Sequence, residues 1–132
     1  MQQSAHKTYS ARTDTHYDPE RGVLTAILEL PGVEKKDMKL SLLTLRHNRV
    51  RQLKVWGTLT PTLPLPSAEG MKQYPGAYLR ERKFGEFSRT FTVPSDLKRE
   101  DVQAVMKRGI LILKIHLGPP AEAQDVQEIT VS

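Results

Sequence analysis

Apolar side chains fall at every second position in short runs along this chain, and most of the runs are closed by proline or glycine. A period of two marks an extended strand with one buried face, because successive side chains of a strand point to opposite sides. Leu24, Ala26, Leu28 and Leu30 share one face, with Thr25 and Glu29 on the other. Pro31-Gly32 ends that run: proline presets the first central angle of a type II turn, and Gly32 tolerates the positive φ of the second. Met38, Leu40 and Leu42 form the next set, and from Val50 to Leu59 the residues Leu53, Val55, Gly57 and Leu59 oppose Gln52, Lys54, Trp56 and Thr58. Tyr78 to Val93 reads as one long strand, or two joined by a bulge at Gly85, with Phe87, Arg89, Phe91 and Val93 on one face. Val102, Ala104 and Met106 alternate with polar or mixed partners, and Leu111, Leu113, Ile115 and Leu117 alternate with Ile110, Ile112, Lys114 and His116. No segment carries a helical face of three turns. Short strands separated by Pro and Gly imply an all-β fold, an antiparallel sandwich or barrel.

At 132 residues the chain has room for one well-packed domain, so the rest is read as tails. Residues 1–14 are expected to form a short polar arm, 15–117 the β-domain and 118–132 a C-terminal extension. Within the domain, residues 58–77 form a long loop interrupted by Pro61, Pro64, Pro66 and Pro75, and loops of that length in small domains are usually functional. Val33-Glu34-Lys35-Lys36-Asp37-Met38 and Leu97-Lys98-Arg99-Glu100-Asp101-Val102 follow one plan: apolar residue, charged turn, Asp, then strand. Each follows a strand-ending proline, which reads as two sandwich edges built alike.

The function classes narrow by what is missing. Without cysteine there are no disulfides, thiolate nucleophiles or Cys-based zinc sites, and the expected location is the cytosol, with the nucleus open. The N-terminal residues lack the apolar core of a secretory signal. His6, His16, His47 and His116 show no metal-ligand spacing, and no G-x-S-x-G or phosphate loop is present, so an enzyme is disfavoured. A net charge of +5 permits contact with nucleic acid, but the basic residues are mixed with acidic ones, as on a solvated surface.

In order along about a hundred residues, the chain resembles the small heat-shock protein family. Glu29-Leu30-Pro31-Gly32-Val33 followed by Lys36-Asp37 is similar to that family's E/D-L-P-G-V-x-K-E/D-D segment, and Val55-Trp56-Gly57 to its I-x-G strand end. Glu81-Arg82-Lys83-Phe84-Gly85-Glu86-Phe87-Ser88-Arg89-Thr90-Phe91, then Val93-Pro94, resembles E-R-x-F-G-x-F-x-R-x-F-x-L-P almost position for position. Ala104 with Arg108-Gly109-Ile110-Leu111 resembles A-x-x-x-N-G-V-L, with Arg108 in place of an Asn suited to a left-handed turn. Ile129-Thr130-Val131 is similar to the family's C-terminal I-x-I/V motif.

The resemblance implies a single antiparallel immunoglobulin-like β-sandwich, the alpha-crystallin domain, working as an ATP-independent holdase that binds partly unfolded proteins and prevents their aggregation. It implies that Ile129 and Val131 dock on a neighbouring domain, in a groove lined by Met38, Leu40, Leu42, Val102, Ala104 and Met106. Arg89, with Arg82 and Glu81, is assigned to ion pairs supporting the domain and its dimer, and Gly32, Gly85 and Gly109 to turns. The implied partners are further copies of the chain, in a homodimer and a higher homo-oligomer, and partly unfolded client proteins. No catalytic residue, cofactor, metal, membrane or specific nucleic acid is implied. The loop at 58–77 is long enough for the strand that plant, fungal and bacterial members exchange between subunits, and the short arm implies weaker client holding or smaller assemblies unless the chain is a shortened form. Two other classes remain open: a basic sandwich binding nucleic acid through Arg46, His47, Arg49, Arg51 and Lys54 with Trp56 and Tyr78, and a related sandwich acting as a co-chaperone adaptor.

Overall fold

A computed structural model of the chain describes residues 8–63, 67–118 and 127–132. The alternating runs become strands: β1 (Thr13–Asp18), β2 (Val23–Glu29), β3 (Met38–Thr44), β4 (Arg51–Leu59), β5 (Gly85–Val93), β6 (Val102–Lys107) and β7 (Ile110–His116). They form a four-stranded sheet in the order β1-β2-β7-β6 and a three-stranded sheet in the order β3-β4-β5, with every pairing antiparallel. The two sheets close over one core, and the architecture is the antiparallel immunoglobulin-like sandwich that the family resemblance implies, where the alternation alone left a sandwich or a barrel open. Leu28, Leu30, Leu53, Val55, Phe87, Leu111, Leu113 and Ile115 are its largest fully buried side chains. Each contributes about 1.5–3 kcal/mol by leaving water. Register carries the pattern across strands, since Leu24, Ala26 and Leu28 face Ile115, Leu113 and Leu111 directly.

The paired charged turns at 33–38 and 97–102 build equivalent corners. Each holds a three-residue 3-10 turn, Lys35–Asp37 or Arg99–Asp101, that feeds an edge strand, β3 or β6. Val33 and Leu97 anchor the two corners in the core. Their amides close turns onto Leu30 and Pro94 carbonyls at 3.1 Å in both cases. At the second corner the Asp101 carboxylate accepts the Lys98 backbone N–H at 2.9 Å.

Three expectations need correction. The arm does not run free to residue 14: β1 begins at Thr13, Ala11 is buried, and Tyr9 bridges to Phe87 with its ring 5.8 Å away. The strand expected from Tyr78 begins only at Gly85, whose φ of +95° turns the chain into β5. Upstream of it, Phe84 lies between the Arg80 and Arg82 guanidiniums, at 4.9 and 5.1 Å. The long loop carries a six-residue helix, α1 (Ala68–Gln73), started by the Ser67 hydroxyl accepting the Gly70 N–H at 3.1 Å. Among the described residues between Leu59 and Gly85 there is no strand.

The two-residue connection between β6 and β7 places Arg108 at φ 53° and Gly109 at φ 77°. Both central residues of a type I′ hairpin turn need positive φ, which suits the right-handed twist of the strands it joins.

Candidate functional site

Because β3 and β6 are the outer strands of their sheets, they flank one open side of the sandwich. Edges are normally blunted by charge, yet Met38, Leu40, Leu42, Val102 and Met106 pack against the core while staying half-open to solvent. Ala104 is exposed beside them. Two hollows result. One, of about 550 Å³, is lined by Leu40, Leu42, Leu53 and Val102 with Arg51 and Arg99. The other, of about 470 Å³, is lined by Met38, Leu40, Ala104, Met106 and Leu111 with Lys35. All six residues expected in a groove are therefore brought to its walls, and Leu40 separates the hollows. Leu42 meets Val102 in one hollow and Met38 meets Met106 in the other, so β3 and β6 run antiparallel across the groove.

The tail presents matching chemistry. Ile129 is 88% exposed and Val131 is 91% exposed, so neither is covered within its own protomer. Residues two apart on an extended chain point the same way, about 6.5 Å apart. That is also the step between alternate residues of β3, whose Met38, Leu40 and Leu42 line the two hollows.

Arg51, Arg99 and Lys35 were not among the expected groove residues. Lys35 and Arg99 had a signal in the two matching charged turns, where they occupy the same place. Arg51 is fixed by its own hydrogen bonds: Nε donates to the Leu97 carbonyl at 2.8 Å and Nη1 to Thr44 Oγ1 at 3.1 Å.

The expected ion pair takes another form within one protomer. Arg89 pairs across strands with buried Val55, but β5 is an edge strand, so the long side chain reaches the rim and Nη1 donates to Ser10 Oγ at 3.1 Å. Among the described residues the ion pairs are Arg21–Asp18 at 3.8 Å and Lys36–Glu34 at 3.3 Å, neither involving Arg89, Arg82 or Glu81. Arg82 and Glu81 are exposed. Arg82 nevertheless acts on Tyr9: burial pushes the Tyr9 hydroxyl above its ordinary pKa of 10.0, and the guanidinium opposes that rise. Gly32, Gly85 and Gly109 all adopt positive φ.

The basic run around β4 is not presented as one anion-binding line. Lys54 lies 5.3 Å over the Trp56 ring and covers that face, while Arg51 turns to the opposite corner. Among the described residues, no group of three or more His, Asp or Glu side chains is placed to hold a metal ion. What the geometry offers is binding surface.

Comparison with known proteins agrees with that geometry. Residues 24–132 match the Hsp20/alpha crystallin family. The chain is 32% identical over 99 residues to "Spore protein SP21" of Stigmatella aurantiaca, covering 75% of this chain and 51% of that protein. It is 30% identical over 88 residues to "Heat shock protein 16" of Schizosaccharomyces pombe, covering 67% and 54% respectively. The chain thus spans about half the length of the curated relatives it matches. Among solved structures, heat shock protein 16.0 of S. pombe superimposes with a TM-score of 0.59 at 21% identity, over 93% of this chain and 77% of that one. A small heat-shock protein of Xylella fastidiosa, described as having a distinct high order structure, gives 0.57 at 18% identity over 94% of this chain and 100% of that one. At these identities the structural likeness concerns the fold.

Proposed function

The chain belongs to the Hsp20/alpha crystallin family, and we propose that it is an ATP-independent holdase whose subunits are linked by their own tails. The observation that carries this reading is a groove with half-open apolar walls between two edge strands, beside an Ile-x-Val pair that is left exposed within its own protomer. Ile129 and Val131 of one copy fill the hollows of another, converting exposed apolar surface into a reversible joint. Such a joint is weak by design. Two side chains leaving water contribute about 1.5–3 kcal/mol each before ordering costs, so links break under stress and free apolar edges for clients.

Capture then needs no reaction, since a partly unfolded protein is recognised by the surface it exposes. The family is non-catalytic, and the groove is built from side chains that bind by contact. Dimer formation through Arg89 and the loop after β4 belongs to the same reading, as does a cytosolic location, which cell fractionation tests.

The test is suppression of light scattering by a heat-aggregating client without ATP. The reading predicts suppression at stoichiometric chain. Unchanged aggregation at several-fold excess of folded chain refutes it.

A further inference from the structure

We propose that the outer face of the β3-β4-β5 sheet binds single-stranded nucleic acid, with a base stacked on Trp56 and the neighbouring phosphates met by Lys39 and Lys54. The face is set by register. Leu53 and Val55 are buried, so Lys54 and Trp56 point away from the core, and their cross-strand neighbours point with them. One row is Lys39, Trp56 and Ser88, and the next is Ser41, Lys54 and Thr90. A third, Leu43, Gln52 and Thr92, lies toward the β3–β4 turn. Trp56 is the chain's only tryptophan, and it stands half-exposed on the side of its strand that the core does not use.

Charge on this face is graded. The three rows carry ammonium, hydroxyl and amide groups and no carboxylate. Acids close the face at the Gly57 end, where a hollow of about 480 Å³ sets Asp37 and Glu86 against Lys36, Lys39 and Lys54. Lys36 is already paired there to Glu34 at 3.3 Å. At the other end the β3–β4 turn carries exposed Arg46, His47 and Arg49 and no acid. Past Thr92 the first acid along the chain is Asp96, beyond Pro94. Arg51 takes no part, since its side chain turns to the Leu97 carbonyl. A strand laid from Trp56 toward the β3–β4 turn therefore meets Lys39 and Lys54 and leaves Asp37 and Glu86 behind it.

In the free protein the Lys54 ammonium sits over the Trp56 ring, 5.3 Å from its centroid. At an exposed site such a cation–π contact is weaker than the stacking of a base on an aromatic ring. A base thus displaces the ammonium, which is then free to meet the adjoining phosphate. A flat sheet has no helix to enter a groove, and a duplex keeps its base faces covered, so single strands are selected over duplex. Sequence preference is weak, because every base has a π-face. An anionic bilayer would also attract the lysines, but Trp56 and Leu43 among hydroxyls and an amide offer little apolar surface to insert. The face is separate from the edge groove between β3 and β6, so binding does not depend on the tail.

Trp56 reports on its own site. Titrating the full chain with a single-stranded oligothymidylate at low salt is expected to quench tryptophan emission, and the matched duplex to leave it nearly unchanged. Anisotropy of a labelled strand compares variants: Trp56→Ala should weaken binding about 10-fold, and Lys39→Gln or Lys54→Gln about 3-fold each. Log affinity should fall against log salt with a slope of about −1.4 for two phosphate contacts, flattened by about 0.7 in either lysine variant. All three variants should keep the parent circular dichroism, and Ile129→Ala/Val131→Ala should bind the strand as the parent does. No binding at low salt, emission that stays constant while the strand binds, affinity indifferent to Trp56→Ala, or equal affinity for duplex overturns the proposal. So does a blue shift on phosphatidylglycerol–phosphatidylcholine vesicles without quenching by the strand, which makes a lipid surface the partner.

Discussion

Gly57 sits in β4 with Met38 opposite on β3 and Phe87 opposite on β5. A Cβ built on it would lie 2.2 Å from the Asp37 carbonyl oxygen, 2.8 Å from Phe87 Cζ and 2.9 Å from Met38 Cα. Ordinary contacts begin near 3.4 Å, so in Gly57→Ala the Asp37 carbonyl must retreat by about 1.2 Å. Two of the three obstructing atoms are backbone, which places the cost toward the top of the overpacking range, about 3 kcal/mol. Gly57 is outside the left-handed region, so alanine adds no φ strain and recovers about 0.4–1 kcal/mol by restricting the unfolded chain. The net loss is about 2 kcal/mol, or a fall in Tm of roughly 8 °C for a domain of this size. Thermal and urea unfolding followed by circular dichroism measure it. Gly76→Ala separates the effects, because nothing lies within 4 Å of that Cβ although φ is +84°, and only about 1 kcal/mol of backbone strain is expected. A Gly57→Ala protein as stable as the parent would refute the close approach of β3 to β4. Since Met38 forms a wall of one hollow, the same change should also loosen tail docking.

Other substitutions probe separate parts of the account. Arg108→Asn should raise stability by about 0.5 kcal/mol in urea unfolding, because Asn bears the left-handed conformation of φ 53° more easily than Arg. Leu113→Ala, at a fully buried position paired with Ala26 and Ala104, should cost about 2–5 kcal/mol, and a loss under 1 kcal/mol would mean the site collapses without a cavity. Tyr9 titrates above its ordinary 10.0 in the folded state, chiefly through burial. Its share of stability is therefore complete below pH 10 and falls as pH rises from 10 through the folded value, so Tyr9→Phe should reduce the loss between pH 9 and 11.

The sandwich was legible wherever one face of a strand is apolar. Leu24 to Leu30 and Leu111 to Ile115 announce themselves because β2 and β7 each bury alternate residues against the other sheet. β1 gave no such signal: Thr13-Asp14-Thr15-His16-Tyr17-Asp18 is an edge strand held by backbone bonds to β2, with its side chains largely in solvent. The stretch from Tyr78 to Phe84 misled for the opposite reason: its Tyr78 and Leu79 are largely exposed, and only Phe84 packs against the core, without a strand partner. Helix α1 is too short to show a face, and only the Ser67 cap distinguishes it. The groove walls were readable as alternating apolar positions, but the arginines that join them were not. Arg51 and Arg99 are 48 positions apart in sequence, and only the packing of β4 against the second corner brings them together.

Particle mass in solution, read by light scattering on the parent and on Ile129→Ala/Val131→Ala at equal concentration, tests the tail-to-groove joint most directly. The account predicts that the variant stays folded by circular dichroism but shifts to smaller particles. It also predicts that Leu40→Ala, in the wall shared by both hollows, shifts the mass the same way. Identical masses for all three folded proteins would contradict it.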